Sequence, residues 1–458
     1  RRPPRSTPLY SSAASDVYKR QILLFASFST FAQTNPAITS WLRNFTGITG
    51  RHYVSGNSTP IVDAVAANVQ TVQYNTTDVY VSATGIPAYI TGPFLDGNPS
   101  IATAQNKIFK ITLSPTQNTG TPTATTGGNI GVFINGVALF DYRDGVSYKL
   151  STGANAGGPL GGMGDGVWNR DAVLAERAGF DCAKAHPANG NYHHHQNPSA
   201  FNLDLSVLSS ICNTYPADGL YVINPTQHSP LLGFAYDGFP IYGAYGYANT
   251  NGTGGITRMK SSFSLRNITT RTHLYTGVDV TDGPAVSTTF PLGLYREDYE
   301  FIANSGQDYL DIHNGRFCIT PEYPNGIYCY FTTVNNTHNS TYPYVVGPTF
   351  YGNKVVTTVP IVPAGTTTLS SNTFENFDFK ITIAPNPASE FIAIQTQMTE
   401  NDLKVELINE LGQIVKENKI LQGSTLTIIE TDSVYNGIYF IRISNGNQSK
   451  SYKVIIAK

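Results

Sequence analysis

Short runs rich in Val, Ile, Tyr and Phe alternate along the chain with Asn-Gly and Asp-Gly pairs, which supply the positive φ angles of two-residue hairpin turns. The pairs are Asp96-Gly97, Asn135-Gly136, Asp144-Gly145, Asp237-Gly238, Asn314-Gly315, Asn325-Gly326 and Asn436-Gly437. Ile130-Gly-Val-Phe-Ile134 before Val137-Ala-Leu-Phe140 shows the arrangement most clearly. The pattern predicts a mainly β protein with a large antiparallel central domain and a few short helices. Helical spacing predicts one helix over 168–178, where Val173, Leu174 and Ala178 share a face and Gly179 can take the left-handed C-terminal position, and a second over 203–211. From Val355 to Phe374 the chain becomes rich in Thr, Ser, Val and Pro, which reads as a linker within 353–376. Alternating apolar residues in 391–394, 403–408 and 438–443 then predict a compact sandwich of short strands. No repeat period of the kind that builds solenoids or propellers is visible.

Composition narrows the partners. Charged residues are only 13% of the 458, the net charge is −2, and no dense Lys/Arg run appears in the body of the chain, so nothing would neutralise a phosphate backbone. Nucleic acid is not an expected partner. Residues 22–33 follow Lys19 and Arg20 and place Thr30 and Ala32 in the small-residue pattern of a signal-peptidase site, so they are expected to be the remnant of a secretion signal. No stretch reaches the roughly 20 apolar residues of a membrane span, and no transmembrane segment is expected. Residues 1–21, with Arg-Arg-Pro-Pro-Arg and no initiator Met, read as translated sequencing-adapter sequence, and 34–73 as an N-terminal segment. Four cysteines in an exported chain favour disulfides, and short loop closure favours Cys182 with Cys212 and Cys318 with Cys329 among the three pairings.

Two resemblances follow from ordered motifs. Residues 377–458 open on Ala384-Pro-Asn-Pro-Ala-Ser389, continue through Val405-Glu-Leu-Ile-Asn-Glu-Leu-Gly-Gln413 and Gly437-Ile-Tyr439, and end on Lys453-Val-Ile-Ile-Ala-Lys458. This segment resembles the type A sorting domain of the type IX secretion system of Bacteroidetes. The resemblance implies an Ig-like sandwich that engages the secretion machinery and its sortase and sends the protein to the cell surface or the medium. Residues 74–352 resemble the YHYH-domain family, on Tyr192-His-His-His195, Asp181-Cys182, His186-Pro187, Gly131-Val-Phe-Ile-Asn-Gly-Val137, Gly233-Phe-Ala-Tyr-Asp-Gly-Phe-Pro-Ile-Tyr-Gly243, Asn314-Gly-Arg-Phe317 and Thr320-Pro-Glu-Tyr-Pro-Asn-Gly326. His194 stands where that family has its second tyrosine.

The histidines are the candidate chemistry. On a β-strand His193 and His195 point to one face, two rises of about 3.3 Å apart, so their imidazoles can converge on one ion. A turn over 187–191 could return His186 as a third ligand. Three imidazoles with an open position suit copper or zinc, whereas calcium and magnesium prefer oxygen. Tyr192 and His194 would face the other side as supporting residues, with Asp181. Asp237 reads as a turn former, His313 as a residue beside a turn, and Glu322 as either a general base or a buried acceptor. The alternative is a hydrogen-bonded His/Tyr layer that fixes loop packing in a non-catalytic extracellular protein binding a glycan or protein partner. Four of the nine histidines within ten residues weigh toward metal. The Gly-rich 157–166 stretch lacks the Gly-Lys-Ser/Thr of a phosphate loop, and no G-x-S-x-G or H-E-x-x-H occurs, which removes the commonest hydrolase readings.

Overall fold

The computed structural model describes residues 35–95, 100–158, 164–198, 210–216, 221, 223–355, 357–369, 381–396, 402–409, 413–444 and 449–458. Residues 1–33, the Asp96-Gly97 pair and all but the end of the helix expected at 203–211 lie outside them. The chain forms two compact units, the first made of almost all residues up to Val362 and the second running from Pro363.

An eight-stranded sheet carries the first unit. Its strands are β1 Asn129–Phe133, β2 Ala138–Phe140, β3 Ala185–Ala188, β4 Asn191–His194, β5 Leu231–Ala235, β6 Pro240–Tyr242, β7 Gly315–Cys318 and β8 Ile327–Phe331, in the order β3-β4-β2-β1-β5-β6-β8-β7. Four hairpins supply most of the pairing, and three of them turn on expected pairs, Asn135-Gly136, Asp237-Gly238 and Asn325-Gly326, whose glycines hold φ of +81°, +88° and +81°. Only glycine takes that conformation without strain. Between hairpins β4 runs parallel to β2 and β6 parallel to β8, so the sheet is mixed. Every residue of β5 and β6 is buried, as in strands covered on both faces.

The strand order is a palindrome. From the centre outward, β1-β2-β4-β3 is matched by β5-β6-β8-β7: a hairpin, a parallel step, then a second hairpin. At the centre β1 and β5 pair antiparallel with Val132 opposite Phe234, Gly131 opposite Ala235 and Phe133 opposite Gly233. That is the register a twofold axis through the Val132–Phe234 pair demands. Gly131 and Gly233 are equivalent under it, and each has the other strand's backbone where a Cβ would go. The outer hairpins repeat the same device. Asp181 accepts from the N–H groups of Ala183 and Ala185 and from the Tyr192 hydroxyl, with Lys184 at φ +64°. Asp311 accepts from the N–H groups of His313 and Gly315 and from the Tyr328 hydroxyl, with Asn314 at φ +63°. The eight-stranded sheet is therefore internally duplicated, two copies of one four-strand pattern whose spacing is too irregular to appear as a sequence period.

Three expectations are corrected. The helix predicted over 168–178 is a single turn, Ala172–Ala175, because Asn169–Asp171 is drawn into strand pairing with Arg143–Lys149. Asp171 caps that turn by accepting from the Val173 N–H at 2.8 Å. Asp144-Gly145 makes no hairpin; it lies inside the strand Arg143–Lys149, whose pairing with Asn169–Asp171 is irregular there. Thr358–Val359, within the expected linker, pairs with Ile108 and Phe109 as a strand of the first unit. β-Branched residues suit a linker and an edge strand equally, and composition cannot separate the two.

In the second unit, Thr382–Ala384, Phe391–Gln395 and Leu426–Glu430 form one antiparallel sheet. Leu403–Asn409, Ile414–Ile420, Gly437–Ser444 and Ser449–Ile456 form another. Ile392, Ile394 and Ile429 from the first sheet share a core with Val405, Leu407, Ile441, Ile443 and Val454 from the second, so the unit is a two-layer sandwich. Phe391 and Gln395 flank the buried Ile392 and Ile394 and face solvent, the alternation of sheets with one wet face.

Candidate metal centre

The β3–β4 hairpin assembles the centre. Asn189 and Gly190 close it with φ of +50° and +79°, a turn whose twist matches that of the strands. The resulting register sets His186 directly opposite His193, so both side chains leave the same face. His195, two residues on, joins them. The three rings offer one nitrogen each within 4.8 Å of one another. All three residues are buried, His193 to 1% exposure.

Pairing of β4 with β2 brings Phe140 and Asp141 alongside. The Phe140 ring stacks on His193 at 3.7 Å and 18°. His195 Nδ1 lies 2.6 Å from the Asp141 carbonyl oxygen, and His193 Nδ1 lies 2.8 Å from that of Asn191. A carbonyl oxygen only accepts, so both Nδ1 atoms carry a proton, and in the neutral rings both Nε2 atoms present lone pairs. Those Nε2 atoms stand 3.1 Å apart. Two lone pairs at that distance repel unless a proton or a cation lies between them. Nitrogens bound at about 2.0 Å to a tetrahedral ion stand about 3.3 Å apart, close to the spacing found. Among the described residues His186 Nδ1 has no hydrogen-bond partner, and its Nε2 meets only the Glu176 carboxylate, at 3.2 Å and in poor hydrogen-bond geometry.

Glu176, which no motif marked, completes the cluster. It ends the single helical turn begun at Asp171, and its Oε2 lies 3.2 Å from His186 Nε2 and 3.3 Å from His195 Nε2. Burial alone would raise its pKa, but the two imidazoles hold the carboxyl well below the usual range. Burial also works against charging His195, yet Glu176 outweighs it and raises that imidazole above its ordinary value. His193 is driven the other way, first by burial and then by its two histidine neighbours. When His195 is charged, a proton on its Nε2 occupies the space between these nitrogens and Glu176; when it is neutral, that space is open to a cation.

Tyr192 and His194 occupy the opposite face. The Tyr192 hydroxyl donates to Asp181 Oδ2 at 2.8 Å. His194 Nδ1 meets the Lys184 carbonyl at 3.2 Å, and its Nε2 accepts from the Tyr89 hydroxyl at 2.9 Å. Burial lowers the His194 pKa to about 3, so this ring stays neutral. The remaining candidates are built in elsewhere. Asp237 accepts from the Tyr330 hydroxyl and the Gly352 N–H at 2.6 and 2.8 Å. His313 bonds through Nδ1 to Thr349 at 2.8 Å, and Glu322 accepts from the Tyr242 hydroxyl at 2.8 Å. In the duplicated half, Cys329 and Phe331 stand where the first half has His193 and His195, by the register that equates Tyr192 with Tyr328. Among the described residues, only one half has three metal-ligating side chains brought together.

Cys182 and Cys212 are disulfide-bonded. Cys318 and Cys329 are not; both are buried thiols. Cys318 faces Ile327 and Cys329 faces Arg316 across the β7–β8 ladder, so the two cysteines are diagonal rather than opposite.

The family model described as YHYH protein matches residues 108–344, and that described as secretion system C-terminal sorting domain matches residues 382–457. The sorting domain marks the chain for export to the cell surface or the medium, and no described helix is long and apolar enough to cross a membrane. None of the curated proteins matches. Among solved structures, PorZ, an essential surface component of the type-IX secretion system of Porphyromonas gingivalis, aligns at 12% identity over 88% of this chain and 53% of its own, with a TM-score of 0.14. The chain spans about half the length of that protein, and an overlap so low carries no argument.

Proposed function

The chain belongs to the YHYH protein family, whose model covers more than half of it, and from that premise we propose that it is an exported protein binding one transition-metal ion, copper or zinc, through His186, His193 and His195. Glu176 is the carboxylate donor beside them. The observation that carries the reading is the pair of Nε2 atoms 3.1 Å apart, each aimed inward because its Nδ1 is committed to a backbone carbonyl. Such carbonyl partners are the usual means of fixing the tautomer and direction of a metal-binding histidine. All-nitrogen donors with one carboxylate favour copper or zinc over calcium or magnesium. Bound there, copper would supply one-electron redox chemistry and zinc a polarised water. The chain's own part is to hold the imidazoles against Phe140, orient them through Asn191 and Asp141, and keep the face behind them neutral through His194.

The test is elemental analysis of the full chain after dialysis against a copper and zinc mixture, beside a His193→Ala/His195→Ala variant. About one equivalent of one metal is expected in the parent and close to none in the variant. Equal metal content in the two proteins would overturn the reading.

A further inference from the structure

A separate cavity of about 390 Å³ opens in the first unit, with Arg143, Asn169, Phe263, Arg296, Tyr299 and Tyr342 among its walls. That volume is at the small end of the range for small-molecule sites. Three of these walls are aromatic and already ordered against one another. Tyr299 and Tyr342 stack with centroids 4.1 Å apart and planes 8° from parallel, and Phe263 meets Tyr342 edge-on at 5.3 Å. The arrangement presents ring surface at fixed angles, at little cost in side-chain freedom when another ring arrives.

The walls hold two arginines and one carboxylate, Glu297. Arg143 is spent on Asp141, with Nε 2.6 Å from Oδ1. Arg296 is held only through Nε, 3.1 Å from Glu297 Oε1, with its guanidinium 5.8 Å above the Tyr142 ring. Its terminal Nη groups make no hydrogen bond among the described residues. Glu297 is itself occupied, accepting from the Asn169 backbone N–H at 2.7 Å and from the Asn169 side chain at 2.9 Å. Burial raises the Glu297 carboxyl to about 7, and the Asp141 carboxylate also acts on Arg296 from outside the walls. An apolar, aromatic-walled space with one guanidinium fork left open matches a ligand with a ring at one end and a planar anion at the other.

We propose that this cavity binds a small monocyclic carboxylate, its ring against Phe263, Tyr299 and Tyr342 and its carboxylate on the Nη groups of Arg296. The site does not depend on the metal reading. It meets the histidine cluster at Asp141, whose carboxylate holds Arg143 and whose carbonyl accepts from His195 Nδ1–H. Two classes of compound share the required chemistry, aromatic acids and sugar acids, and separate probes distinguish them.

Saturation-transfer NMR and calorimetry on the full chain would use 4-hydroxybenzoate and galacturonate, with phenol and galactose as their uncharged counterparts. Saturable binding of at least one acid is expected, with its uncharged counterpart at least about tenfold weaker, the discrimination worth roughly one charged hydrogen bond. Arg296→Gln should cost a similar factor, while His193→Ala/His195→Ala should leave the affinity unchanged. If Arg296→Gln does not fold, Tyr275→Ala, at a half-exposed residue lining the same cavity, takes its place and should also weaken binding. Absence of binding by both acids, equal binding of acid and uncharged counterpart, or unaltered affinity in the folded cavity variant would each overturn the proposal.

Discussion

Replacing Asp181 by Asn tests how the histidine hairpin is anchored. Asp181 is fully enclosed and accepts four hydrogen bonds, from the N–H groups of Gly92, Ala183 and Ala185 and from the Tyr192 hydroxyl. Burial raises its pKa to about 7 even so, because those bonds only partly replace lost hydration. In the unfolded chain the carboxyl ionises near 3.9. Between those values the native state holds a proton that the unfolded state has released, so stability is full below pH 4 and is lost as pH rises toward 7. A shift of about three units corresponds to about 4 kcal/mol in all, of which about 3 kcal/mol falls between pH 5 and 8. Asparagine has nearly the same shape and no such titration, but its amide nitrogen meets the Gly92 N–H donor-to-donor, a loss of about 1–3 kcal/mol. The variant should therefore be the less stable protein at pH 5, with the gap closing or reversing by pH 8. The two tryptophans, Trp41 and Trp168, are both buried in the first unit, so urea unfolding followed by their fluorescence reports on that unit alone. A difference between parent and variant that stays constant from pH 5 to pH 8 would refute the reasoning. Asp311, the equivalent residue in the duplicated half and also raised by burial, should behave in the same direction.

Other consequences are open to direct measurement. At the twofold centre a Cβ on Gly233 would strike the Val132 carbonyl and come within 2.8 Å of Phe133 Cα, whereas one on Gly131 would sit 2.9 Å from the Phe234 oxygen. Gly233→Ala should thus lower the thermal midpoint more than Gly131→Ala, each by the roughly 1–3 kcal/mol of an overpacked core or more, and equal midpoints would contradict the closer approach at Gly233. The Cys182–Cys212 bridge spans 30 residues, so Cys182→Ala/Cys212→Ala should lose about 3–4 kcal/mol by the chain-entropy relation, read as a lower urea midpoint without added reductant. Deleting 377–458 should leave the first unit folded by tryptophan fluorescence but retained inside the cell envelope, and its undiminished appearance outside the cell would argue against a sorting role. Phe140→Leu removes the ring stacked on His193 and should weaken metal retention in a chelator competition without changing the stoichiometry.

Much of the scaffold is legible in local chemistry. Turn pairs such as Asp237-Gly238 state their backbone angles in two residues, and the alternation around Ile392 and Ile394 states which face of a strand is wet. The histidine spacing is legible for the same reason, since period two on a strand places His193 and His195 together whatever the rest of the chain does. What depends on residues far apart in sequence is not. Whether 169–171 extends a helix or joins a sheet is settled by the backbone of Arg143–Lys149, which pairs with it across some two dozen residues. That choice puts Glu176 beside the histidines, and no spacing rule reaches it.

The sequence by itself determined that the chain is exported, rich in hairpins and furnished with an unusual histidine cluster, because each of these rests on a few neighbouring residues. Only the tertiary structure decided the twofold duplication, the carboxylate at the cluster, the fate of the four cysteines and the inward aim of the imidazoles. Most of those rest on a disulfide, a hydrogen bond or a strand register between distant segments, and such pairings acquire their energy only when the whole sheet closes around them.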